Sequence, residues 1–190
     1  MKYILLGTAA FALMGMSPAP APTGALVSSL GGSSAESCYN AAVERDASST
    51  SLSECNAAIG AEAIPFADLV ATYVNRGVLQ LIRADYSAAE ADFNRAMSMQ
   101  ATQPEAWLNK GIARYQQGDF KAAREMFSRA LELKTHYAAL AYFGRGLANE
   151  DSGDVRGAYA DLRKAAELSP SWSAPQEQLV RFKVVRRPNS

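Results

Sequence analysis

The chain has 190 residues, enough for one domain with appendages, and 48% of them are hydrophobic against 20% charged, which excludes global disorder. Nineteen Lys and Arg balance nineteen Asp and Glu, so no overall field argues for nucleic acid as a partner. The charge is nonetheless uneven. Residues 36–68 hold six acids against Arg45 and residues 176–190 hold four cations against Glu177, reading either as contact surfaces or as solvated faces.

In chain order, Lys2 and the apolar run "YILLGTAAFALMGM" read as an export signal, too short for a membrane span of roughly 20 residues. Thr23-Gly24-Ala25 is the expected cleavage site, giving a signal over residues 1–25; left uncut, the segment would serve as a membrane anchor. Residues 26–36 continue a Pro-, Gly- and Ser-rich stretch and read as a flexible linker. Cys38 and Cys55 are the two cysteines of the chain, and in an oxidising compartment they point to one disulfide. The sequence between them divides into helix, polar turn and helix, with Ser51 and Glu54 as a capping box. A stapled hairpin over residues 37–66 follows, the closed loop contributing on the order of 3 kcal/mol. A redox pair would call for Cys-x-x-Cys, which is absent.

Three later stretches fall into register: "YVNRGVLQLIRADYSAAEADFNRAMSM", "WLNKGIARYQQGDFKAAREMFSRALEL" and "YFGRGLANEDSGDVRGAYADLRKAAEL". Gly77, Gly111 and Gly146 coincide, as do Ala89, Ala123 and Ala158, and each block reads helix, short turn, helix. Small residues at fixed offsets let two helices cross closely, while Phe93, Phe127 and Leu162 fill the space beside them. Such pairs cannot bury their faces alone and need stacking and caps. Residues 173–190 supply a capping helix over "APQEQLVRFKVV" and a basic tail.

These residues resemble the tetratricopeptide repeat, with Trp107, Gly111, Gly118, Phe120, Ala123, Phe127 and Ala130 the fullest match. The resemblance covers residues 70–172 as three repeats (70–103, 104–138, 139–172) and implies an all-α, right-handed solenoid of three helical hairpins. It also implies a concave groove lined by the first helices. The groove residues it designates are Val74, Val78, Ile82, Leu108, Asn109, Ile112, Tyr115, Phe143, Leu147 and Glu150. Many family members clamp a peptide carboxylate there with Asn and Lys; this chain matches only at Asn109, leaving an apolar floor that runs into acid at Glu150 and Asp151.

Beside each glycine stands a cation: Arg76, Lys110 and Arg145. Residues three and four apart share a helix face, so these cations lie against the second helix of their own repeat. Asp92 and Asp161, sixteen residues on, are the expected partners; the second repeat has Met126 there. The row reads as scaffold rather than ligand site, its stems packed and its heads paired.

No catalytic, metal or cofactor constellation emerges. The lone His136 sits in a turn without a nucleophile at motif spacing, and no Gly-rich loop follows a strand. The expected function is therefore non-catalytic binding of another protein or peptide in the periplasm or cell envelope. No nucleic acid is expected, and a membrane only through an uncleaved signal. The alternative is a self-associating homo-oligomer or tethered assembly factor with the groove filled internally.

Overall fold

The computed structural model describes residues 3–6, 34–60 and 64–186. The apolar signal run beyond Leu6, the cleavage site at Thr23–Ala25 and the linker as far as residue 33 lie outside the described residues. Helices pair in sequence: α1 (Ser34–Glu44) with α2 (Ser49–Gly60), α3 (Phe66–Ile82) with α4 (Tyr86–Met99), α5 (Pro104–Gln116) with α6 (Phe120–Glu132), and α7 (Ala138–Asp151) with α8 (Val155–Leu168). The short α9 (Ser173–Leu179) closes the stack. Successive first helices also touch, α1 with α3, α3 with α5 and α5 with α7, whereas the second helices are not in comparable contact among the described residues. The stack is therefore an all-α solenoid curved with α1, α3, α5 and α7 inside.

Each inner–outer crossing depends on a missing side chain. A Cβ on Gly77 would stand 2.5 Å from the Phe93 ring, one on Gly111 2.8 Å from Phe127, and one on Gly146 3.0 Å from Leu162. Phe127 is gripped from both sides, because a Cβ on Gly144 of the next repeat would come within 2.6 Å of the same ring. Ala89, Ala123 and Ala158 lie fully buried at these crossings. The turns are equally regular. Ala84, Gly118 and Gly153 adopt positive φ, which brings the amides of Asp85, Asp119 and Asp154 back to carbonyls five residues earlier. Each of those aspartates then caps the following helix, accepting from Ala88, Ala122 or Gly157 N–H at 2.9–3.1 Å.

The cation row is structural. Arg76 binds Asp92 through Nε and Nη2 at 2.9 and 2.6 Å, and Arg145 binds Asp161 through the same atoms at 2.8 Å each. Such two-pronged pairs fix geometry as well as charge. The remaining nitrogen, Nη1, reaches back one hairpin, to Asn56 from Arg76 and to Ser128 from Arg145. Lys110, lacking an acid opposite, donates instead to Asn94 of the preceding outer helix at 2.8 Å.

Cys38 and Cys55 are disulfide-bonded across α1 and α2. The hairpin starts at Ser34, earlier than the expected residue 37, and Ser51 does not cap it. Ser48 accepts the Ser51 N–H at 3.2 Å, and the Ser51 hydroxyl donates to Asp46 at 2.6 Å. The Ser51 hydroxyl, the Ser48 N–H and the Ser48 hydroxyl all donate to Asp46 and hold its carboxyl below the ordinary range. The capping helix is also shorter than expected. After Leu179 the chain turns so that Phe182 packs in the core near Tyr159, and the β-branched run that follows forms strand β2 (Lys183–Arg186). It pairs antiparallel with β1 (Tyr3–Leu6), Tyr3 opposite Arg186 and Leu6 opposite Lys183.

Asp161 also accepts from the buried Asn149 amide at 3.0 Å, a duty Asp92 does not have. Asp161→Ala should therefore destabilise by about 2–4 kcal/mol and Asp92→Ala by roughly 1–2 kcal/mol less, because only the former strands a buried amide as well as a guanidinium. Denaturant unfolding of the two variants checks the order.

Candidate functional site

The groove side of α3, α5 and α7 is built from positions just after each glycine. Val78, Ile112 and Leu147 stand one residue after it and are half-buried, and Ile82 is exposed. Val74, Leu108 and Phe143, expected on the same floor, are at most 6% exposed. They sit three residues before the glycine, where inner helices press together. Val74 joins Val70, Ala96 and Ala106, Leu108 joins Phe127 and Ala141, and the Phe143 ring lies 4.8 Å from that of Trp172. Val74 and Leu108 still border a narrow cleft together with Val78, Asn109, Asn75 and Leu140. The wall is thus largely apolar, with two amides one repeat apart and the buried Glu105 carboxylate beside them.

The acidic end closes differently from expectation. Arg181, beyond α9, donates to Glu150 at 2.6 Å, and the Tyr115 hydroxyl donates to Asp151 at 2.7 Å. The Glu150 side chain is only 7% exposed, and its Oε1 accepts no hydrogen bond among the described residues. Burial holds the Glu150 carboxyl above its ordinary range, opposed by the Arg181 guanidinium and assisted by Asp151. Burial and the bond to Asp151 likewise push the Tyr115 phenol up. No sequence signal marked Arg181 for this role, because it lies in the span expected to continue the capping helix.

Other expectations find their places away from the groove. His136 is exposed in the turn before α7. No group of three or more His, Cys, Asp or Glu is placed to hold a metal ion among the described residues, and no helix there is long and apolar enough to cross a membrane.

A carboxyl raised in the folded state binds its proton there more readily than in the unfolded chain. Its stabilising contribution is complete below the ordinary value of 4.5 and is lost as pH rises through the folded value. The unfolding free energy of the wild type relative to Glu150→Gln should therefore increase as pH is lowered from neutrality toward 4.5. Parallel denaturant titrations would show a flat difference if Glu150 were unperturbed.

Comparison with known proteins agrees with this architecture. Residues 104–137 and residues 139–171 each match the tetratricopeptide repeat family. No curated protein matches the chain in sequence. Among solved structures, that of PilW, a type IV pilus biogenesis factor, superposes with a TM-score of 0.64 at 14% identity. The match covers 77% of this chain and 65% of that one, so the chain spans about two thirds of the relative's length, and the likeness speaks to fold. With their repeating glycines, caps and crossings, residues 104–171 are identified as tetratricopeptide repeats.

Proposed function

We propose that the protein is an exported, non-catalytic scaffold that holds an apolar segment of another protein in the groove of α3, α5 and α7. The observation that carries this reading is the half-buried row of Val78, Ile112 and Leu147, presented on the concave side of a rigid stack. Extended or helical apolar segments are the usual occupants of such a surface. The disulfide and the N-terminal apolar run support export to the periplasm or cell envelope, with residues 1–25 removed as a signal, a cut that would also take β1 away from β2. The likeness to PilW favours partners within an envelope assembly machine.

Affinity capture from envelope extract tests the reading, with wild type run beside a Val78→Asp, Ile112→Asp variant of equal helicity. A partner held by the wild type and lost by the variant is the expected result. A partner held equally by both would move the site to the basic tail or the acidic hairpin. Capture by neither, with sedimentation showing a dimer or larger, would favour self-association.

A further inference from the structure

The hairpin α1–α2 repeats the offsets of the three hairpins after it. Arg45, seven residues past Cys38, has φ 59°, as Ala84, Gly118 and Gly153 have positive φ seven residues past Gly77, Gly111 and Gly146. Asp46, eight past Cys38, returns its amide to Ala41 at 2.9 Å, as Asp85, Asp119 and Asp154 return theirs five residues back. Asn56, directly after Cys55, accepts from Arg76 as Ser128, directly after Phe127, accepts from Arg145. Cys38 thus holds the glycine position and Cys55 the aromatic one, with a covalent bond in place of the ring-on-glycine contact. The turn between them is one residue longer.

We infer that α1–α2 is a fourth repeat and that its Ala42 and Val43 form the first row of the partner groove, a conclusion that rests on the groove reading above. Ala42 and Val43 occupy the positions of Leu81 and Ile82, Tyr115 and Gln116, and Glu150 and Asp151 in the later repeats. They also line the same narrow cleft as Val78, Asn109 and Leu140. Along this register the pairs run from wholly apolar at α1 and α3, through Tyr-Gln at α5, to two acids at α7. The occupant that complements the gradient is a single segment, apolar over α1 and α3 and basic where it meets Asp151 of α7, a half-buried carboxylate that accepts from the Tyr115 hydroxyl. The Glu150 side chain is buried and already held by this chain's own Arg181, so Asp151 is the acid that an occupant's cation meets. The disulfide, by holding α1 in place, makes the first row dependent on oxidation.

A fluorescein-labelled peptide, Leu-Ala-Leu-Ser-Leu-Ala-Leu-Ser-Arg-Arg, is the probe, titrated by anisotropy against the oxidised protein. Val43→Asp and Val78→Asp should each weaken binding by at least about tenfold, the loss expected of a buried anchor. Replacing the terminal arginines by glutamates should do the same, and reducing the disulfide should weaken binding severalfold while α3–α8 stay helical. Val43→Ser, with an unchanged thermal midpoint, guards against a folding artefact. Wild-type affinity in both Val43 variants, with loss in Val78→Asp, would overturn the fourth row and leave the groove reading standing. Affinity unchanged in all three would overturn both, and failure of the wild type to bind the peptide would overturn the occupant's chemistry.

Discussion

The solenoid depends on one contact made over and over: an aromatic or leucine side chain from an outer helix laid on a glycine of its inner helix. Glycine is among the poorest residues for a helix interior, costing about 1 kcal/mol against alanine. Its presence at three equivalent helical positions signals that backbone approach outweighs propensity. Once the crossing is that close, much follows. The alanines at the same crossings lie fully buried, and the outer helix comes near enough for Arg76 and Arg145 to close two-pronged pairs on it. Gly144 extends the same device between repeats, so that Phe127 belongs to two hairpins at once.

The arginines then tie the stack lengthwise. With Nε and Nη2 committed to the aspartate of its own repeat, each guanidinium has Nη1 free for the preceding outer helix. Stacking of Arg76 over Tyr73 and Arg145 over Tyr142, with centroids 5.6 and 5.3 Å away, fixes the plane of each fork. Lysine has no fork, and Lys110 makes only the lengthwise contact. Arg114 adds a second lengthwise contact at that junction, to Glu90 of the previous repeat at 2.5 Å. The cation beside the glycine is therefore a joint of the scaffold.

Much of this was legible in the residues. Gly, Ala and aromatic offsets gave the helical hairpins, and the sixteen-residue spacing from Arg76 to Asp92 and from Arg145 to Asp161 gave the pairs. Equivalence between Cys38 and the glycines was equally present, in the Asp that follows each by eight residues, but disulfide and glycine look unlike until both are seen to solve one crossing. What the sequence could not convey was curvature. Because inner helices press together, Val74, Leu108 and Phe143 turn into cores that a straight stack would leave open. Arg181 reaches Glu150 only because the chain turns after Leu179 to bury Phe182, a choice no local propensity announces.

The result is a disulfide-stapled frame with a narrow, largely apolar cleft and an acidic end that Arg181 closes. The glycine crossing underlies that frame, and Gly111→Ala probes it with opposite signs for the two explanations. Propensity alone predicts a gain of about 1 kcal/mol, since alanine is the better helix former. The close crossing, where the new Cβ would lie 2.8 Å from Phe127, predicts a loss of about 1–3 kcal/mol by overpacking. Equilibrium unfolding of the oxidised protein decides between them: a lowered midpoint is the predicted result, and a raised one would contradict the account.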